Sequence, residues 1–306
     1  MEHIYKEEFN NGQKVLIVLM TFFVAFVLSN VIGYYIPELL KVNIMRLKPE
    51  MVYEINIVKL MQFFSSFVLF VIPPIVISIL FKHNIREYLK LKNSPNFIFF
   101  VFICIFMILA YPLLSLITEW NGSIKFPATM EFIEKLLRTL EDSSSTIVLS
   151  ILSGCKWYDL IINLIVIALL PAIGEEMVFR GLIQKYFIKY LKNPHISIII
   201  TAIIFSSVHL SFFGFFPRFI LGVFLGYLAF RFNSLFPSIF AHFFNNAVAV
   251  CSVFYLAKTN QLINMDETNY YPESPMLFIG FILLAVFIGF LIFGKLKTIE
   301  NKDLSK

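Results

Sequence analysis

Charge is scarce in this sequence. Asp, Glu, Lys and Arg make up only 15% of the 306 residues, where a soluble domain carries about a quarter, so a solvated globular surface is excluded. The net charge is a small +5, and its Lys and Arg sit mainly in short loops and near the C-terminus, which argues against a nucleic-acid partner. Cysteine is limited to Cys104, Cys155 and Cys251. Their spacing suits neither a zinc ribbon nor a redox pair, and they read as lipid-buried or interfacial thiols. Also missing are an HExxH motif, an internal repeat, a low-complexity segment and the alternating ten-residue pattern of an outer-membrane barrel. No small-residue cleavage site accompanies the first apolar stretch, which Glu2, Glu7 and Glu8 precede. That stretch is read as a retained span rather than a signal peptide.

What is abundant is apolar surface: 58% hydrophobic residues, 37 of them Phe, and a mean hydropathy of +0.80. Several runs reach or approach the roughly 20 residues that a helix needs to cross about 30 Å of hydrocarbon. They lie at about 15–36, 58–81, 97–118, 158–190 (interrupted), 195–211, 218–231, 235–257 and 275–294. The expected fold is all-α, a polytopic transmembrane bundle of about eight spans. With the N-terminus inside, 14 Lys and Arg fall on the cytoplasmic side and 10, Arg218 among them, on the other, with Arg180 set apart as intramembrane. This bias predicts that both termini are cytoplasmic. The predicted division is 1–150 for the first spans and an outer amphipathic helix, 151–260 for a catalytic core, and 261–306 for the last span and a basic tail.

Between the third and fourth runs, Phe132, Ile133, Leu136, Leu137 and Leu140 recur at helical spacing opposite Glu131, Glu134, Lys135, Arg138 and Glu141. The pattern predicts an amphipathic helix on the outer membrane surface, ending in a Ser143-Ser144-Ser145 loop. A solvated connecting helix is the plainer alternative. Pro73-Pro74 and Pro112 are expected to kink their spans.

Glu175, Glu176 and Arg180 stand inside an apolar run. Each charge at that depth costs at least about 2.5–3.5 kcal/mol, so a compensating role is required. Glu176 and Arg180 are four apart and can pair on one helix face, while Glu175 points about 100° away and is left for chemistry. Past the Asn193-Pro194 turn the chain returns to His209. In an antiparallel hairpin Glu175 and His209 are level, each about 25 Å from the turn. The seventh run carries His242, Asn245 and Asn246, with His242 and Asn246 on one face. By rise per residue His242 lies only about 15 Å from its turn, shallower than His209. Either histidine could equally be an interhelical hydrogen bonder.

A carboxylate pair, two His and an Asn form a hydrolytic inventory: Glu activates water, His moves a proton, and His and Asn donate to an oxyanion. Glu175, His209 and His242 could instead ligate zinc with an open position for water.

In Glu175-Glu176-x-x-x-Arg180, Phe205-x-x-x-His209 and His242-x-x-x-Asn246, in that order on consecutive apolar runs, the sequence resembles the CAAX-protease and bacteriocin-processing family, often called CPBP or Abi. The resemblance covers about 70 residues and implies an intramembrane endopeptidase. It assigns Glu175 and His209 to water activation, His242 and Asn246 to the oxyanion, and Glu176 and Arg180 to support; Phe205 reads as packing. It favours a glutamate-based mechanism without a cofactor, with zinc as the alternative. The implied partners are the bilayer and a peptide or membrane-protein substrate. A Phe-, Ile-, Lys- and Asn-rich composition suits an AT-rich bacterial genome and a multi-pass protein of the cell membrane. The competing readings are a non-catalytic bacteriocin-immunity or scaffold protein of the same fold, and a transporter or proton channel, which the lack of repeats disfavours.

Overall fold

The computed structural model describes residues 9–259 apart from 45, 46, 49 and 93, together with scattered positions between 279 and 289. Among the described residues the regular structure is entirely helical. Six helices are long and apolar enough to cross a membrane. These are α1 (Gly12–Leu39), α2 (Val52–Leu80), α3 (Phe97–Gly122), α5 (Trp157–Leu191), α7 (Phe215–Phe232) and α8 (Phe236–Lys258). Between them lie the amphipathic α4 (Glu131–Leu152) and the short apolar α6 (Pro194–Ser207). Among the described residues, then, six of the eight expected spans are long enough: α6 falls short of a full span because it ends at Ser207, and the run at 275–294 lies largely outside the described residues.

Local chemistry sets the boundaries. Asn10 and Gln13 form a reciprocal capping box at the start of α1. Asn193 caps α6 through the Ile196 N–H, with Pro194 at the first helical position where its missing donor is harmless. Lys192 and Asn233 adopt left-handed backbone, φ 51° and 48°, and close α5 and α7. The Pro73-Pro74 pair follows a π turn at Phe67–Val71, which shifts the bonding register where the prolines cannot donate. Pro112 lies within α3, which continues on both sides of it.

α5 is the axis of the bundle. Over their most apolar windows 56% of α5 is buried, against 11% for α1 and 6% for α3, so among the described residues α5 is enclosed by protein and the other two are exposed along most of their length. One core cluster joins Val71 and Ile77 of α2 to Leu170, Met177 and Leu182 of α5 and Ala229 of α7. A second joins Ile103 and Met107 of α3 to Leu225 and Leu228 of α7 and Ala241 of α8. α6 and α7 pack along Gly222 and Gly226, the close approach expected of small residues four apart. A Cβ on Gly226 would lie 2.8 Å from both Gln184 Oε1 and Ile198 Cγ2.

The expected Ser143-Ser144-Ser145 loop is helix instead. α4 runs unbroken to Leu152 because Ser143 and Ser144 turn their hydroxyls back onto the Thr139 and Leu140 carbonyls, removing the competition with the helix. Its apolar face is uncovered by protein, with Phe132 79% and Leu140 53% exposed, as an interfacial helix requires. Its polar face is only partly solvated. Arg138 bonds Glu134 and the Ile124 carbonyl and lies over the Phe213 ring, while Glu141 accepts from Ser211 Oγ and the Phe213 N–H. α4 therefore clasps the 208–214 turn that joins α6 to α7.

Candidate active site

The two adjacent glutamates occupy the turn of α5 just before a π segment at Phe179–Gln184. Glu176 and Arg180 pair as the spacing predicts, with Arg180 Nη1 donating to Glu176 Oε1 at 2.6 Å and both side chains sealed from solvent. The same guanidinium donates from Nη2 to the Gly222 carbonyl, and one turn on Gln184 donates to that of Gly226. These two bonds hold α5 against the small-residue face of α7.

Glu175 is directed away from that pair. Its Oε2 lies 3.8 Å from His209 Nε2 and 3.9 Å from His242 Nε2 and has no hydrogen-bond partner of its own. The structure thus brings both histidines to the same carboxylate oxygen, and the apparent depth mismatch of His242 disappears. The mismatch arose from taking the Asn193 and Asn233 turns to be level: Leu235, beside the start of α8, packs against Gly181, well inside α5, and not against the Asn193 turn.

The two imidazoles are held differently. His209 lies beyond the end of α6, in the 208–214 turn, and its Nδ1 is 2.8 Å from the Phe205 carbonyl. A carbonyl can only accept, so Nδ1 carries the hydrogen and the neutral ring presents Nε2 to Glu175 as an acceptor. His242 belongs to α8, and its Nδ1 is 3.0 Å from Glu176 Oε1. Glu176 therefore orients His242 as well as pairing with Arg180. The ring of Phe205 meets those of His209, His242 and Phe179 edge to face and lies beneath Arg180, so it is the apolar wedge that keeps these groups apart from one another. Asn246 sits one turn past His242, and its amide oxygen accepts from Asn245. The His209 side chain is 32% exposed and that of Glu175 11%, against 4% for His242, so the approach to Glu175 runs past His209.

Among the described residues no group of three or more His, Cys, Asp or Glu is arranged to hold a metal ion. Glu175, His209 and His242 are the side chains that would hold zinc on the alternative reading. A cavity of about 680 Å³ between α1, α2 and the C-terminal part of α5, lined by Phe22, Phe81, Tyr88 and Leu182 among others, contains none of these residues.

Three residues around the site are not apparent from the sequence. Asn121 of α3 donates to the Phe212 carbonyl and accepts from the Phe216 N–H, fixing the turn that carries His209. Glu141 of α4 holds the same turn from the other side. Arg218, in the first turns of α7, has a buried Nη1 with no hydrogen-bond partner. Asn121 lies just past the third apolar run among other polar residues, and Glu141 and Arg218 resembled ordinary interfacial charges, so the sequence carries no signal that singles them out.

An apolar helical bundle with a carboxylate and two imidazoles gathered around its central helix has the build of an intramembrane hydrolase. Residues 157–248 match the family model described as type II CAAX prenyl endopeptidase Rce1-like. The match agrees with the resemblance in the three motifs, spans all the residues just described on α5 to α8, and suggests a CAAX-type intramembrane protease. Comparison with curated proteins and with solved structures found no match.

Proposed function

We propose that this chain is a multi-pass endopeptidase of a bacterial cell membrane that hydrolyses a peptide bond of a membrane-associated peptide or protein, using Glu175 as its base. One observation carries the reading: Glu175 Oε2 is a buried carboxylate oxygen without a hydrogen bond, faced by two imidazole nitrogens at 3.8 and 3.9 Å. Those separations suit a bridging water. Glu175 takes one proton of that water, and His209 Nε2 accepts the other hydrogen, aiming the oxygen lone pair at the scissile carbonyl carbon. The C–O bond forms as the carbonyl π bond opens to an oxyanion. His242, whose Nδ1 is held by Glu176, directs Nε2 at that oxyanion as a donor, and Asn246 supplies a second donor one turn on. Collapse breaks the C–N bond, and the proton held by Glu175 passes to the leaving amine. Glu176 and Arg180 position this machinery. Segment 151–260 is the catalytic unit; 1–150 and 261–306 embed it, with both termini cytoplasmic.

The test is cleavage of lipidated and unlipidated hydrophobic peptides by the protein in liposomes, followed by mass spectrometry. Glu175→Gln is expected to lower kcat by about 10²–10⁴ at an unchanged or raised Tm. Undiminished cleavage removes Glu175 as the base. A chelator is expected to leave wild-type cleavage intact; chelator-sensitive cleavage restored by zinc alone would establish the metal mechanism instead. Protection or partner binding that survives Glu175→Gln with His209→Ala, in the absence of any cleavage, would identify an immunity or scaffold protein.

A further inference from the structure

Arg218 is a cation without a fixed partner. Arg180 bonds Glu176 and the Gly222 carbonyl, and Arg138 bonds Glu134 and the Ile124 carbonyl, but Arg218 Nη1 is buried with no hydrogen-bond partner. A desolvated guanidinium left this way is costly unless something arrives to bond it. The surrounding turn is nevertheless built tightly. Asn121 and Glu141 pin it, and the guanidinium packs over Gly214, where an added Cβ would lie 3.1 Å from Arg218 Nη2. Both oxygens of Glu141 already accept from Ser211 and Phe213, and the charge of Arg218 bears on Glu175 and His209 as well as on Glu141. Arg218 is therefore beside the reacting groups, on the half-open His209 side, with donors to spare. A planar fork of that kind fits a carboxylate bidentately.

We propose that Arg218 is the anchor for a carboxylate of the bound peptide, placing the scissile bond over Glu175; the inference rests on the peptidase reading above. The carboxylate comes either from the peptide's free C-terminus or from an Asp or Glu side chain. Arg218 is a binding residue here, and loss of its charge acts on recognition of the anion rather than on the proton transfers.

Binding and turnover are measured separately. A dansylated hydrophobic hexapeptide is prepared as the free acid, as the C-terminal carboxamide, and as a carboxamide carrying one internal Glu, and is titrated into the Glu175→Gln protein in nanodiscs. The free acid is expected to bind about tenfold more tightly than the plain carboxamide, the gain of one charge-assisted pair. With Arg218→Gln added, that preference falls to below about twofold, and Arg218→Lys restores part of it. Equal binding of all three peptides by the Arg218-containing protein, including binding of none, overturns the proposal, as does a preference for either carboxylate that survives Arg218→Gln in a protein of unchanged Tm. Tight binding of the Glu-bearing carboxamide identifies a side-chain carboxylate as the anchored group. The free acid and the Glu-bearing carboxamide are given to wild-type protein for turnover: an Arg218-dependent carboxylate preference without cleavage sinks the peptidase reading and keeps the anchor, and cleavage with no preference for either carboxylate does the reverse.

Discussion

Two helices of this protein carry the same Glu-x-x-x-Arg spacing in opposite surroundings. In α4, Glu134 and Arg138 pair at 2.9 Å with side chains 17% and 39% exposed; in α5, Glu176 and Arg180 pair at 2.6 Å with both at 0%. The local geometry is nearly identical, and the consequences are not. At the rim the ions stay partly hydrated, and such a pair contributes little. In α5 both ions have lost their water, and their mutual attraction must be supplemented by every bond the site can offer. Those bonds are the Gly222 carbonyl on Arg180 and the imidazole of His242 on Glu176. The buried pair therefore ties α5, α7 and α8 together around Glu175, whereas the rim pair only steadies α4 against the turn bearing His209.

Breaking each pair sharpens the contrast. Arg180→Met leaves Glu176 buried with His242 as its remaining partner and strips the Gly222 carbonyl of its donor. The expected loss is about 3–5 kcal/mol, read as a fall in Tm in detergent together with loss of cleavage. Adding Glu176→Gln to the same chain should recover a large part of that stability but not the activity, because the stranded charge is gone while His242 remains misplaced. If the double variant is no more stable than Arg180→Met alone, the penalty lies in packing rather than in the orphaned carboxylate. Arg138→Met is expected to lower Tm by no more than about 1 kcal/mol would. A larger fall would mean that its contact with Phe213 matters more than the ion pair.

The α5–α7 seam gives an intermediate effect. Gly226→Ala forces a methyl group to within 2.8 Å of Gln184 Oε1 and Ile198, and overpacking of this kind costs about 1–3 kcal/mol. The variant should also weaken activity, because Gln184 and Arg180 bind successive carbonyls of α7 and move together. Wild-type Tm in Gly226→Ala would show that α6 gives way instead.

The central motif was legible in the sequence because charge in an apolar run has few solutions. The spacing of Glu176 and Arg180 forced a pair, and the Asn193-Pro194 turn set Glu175 level with His209. The seven runs up to 235–257 each contain a helix for the same reason, since a long apolar stretch leaves its backbone little else to do. His242 could not be placed by rise arithmetic, which took the Asn193 and Asn233 turns to be level when Leu235 packs beside Gly181. Asn121, Glu141 and Arg218 were illegible for another reason. Asn121 and Arg218 sit near helix ends and Glu141 on the polar face of an amphipathic helix, places where polar residues are commonplace, and only tertiary contacts distinguish a turn clamp or a poised cation from a solvated side chain. The serine run was misread because turn-forming composition was weighed without the i−4 carbonyls that serine can bond within a helix.

The smallest expected effect tests the rim pair by pH. The Phe126 N–H, 2.7 Å from Glu134 Oε2, and then the Arg138 guanidinium hold the Glu134 carboxyl below the usual carboxylate range. A carboxyl whose folded pKa is depressed contributes stability that is fully present above its unfolded pKa, about 4.3, and is lost as pH falls through the folded value. Docking of α4 on the 122–126 connection should therefore hold at neutral pH and loosen only in acid below about pH 4. Hydrogen exchange of residues 124–138, corrected for intrinsic rate, should show this loosening in wild type. Glu134→Gln should be slightly less protected at pH 7 and lack the acid step, because the amide cannot change charge. The central pair sets the control: its protection in α5 should not follow Glu134. If exchange in wild type and Glu134→Gln changes with pH in the same way, the carboxylate of Glu134 does not hold α4 in place, and the clasp depends on Glu141 and on the ring contact between Arg138 and Phe213.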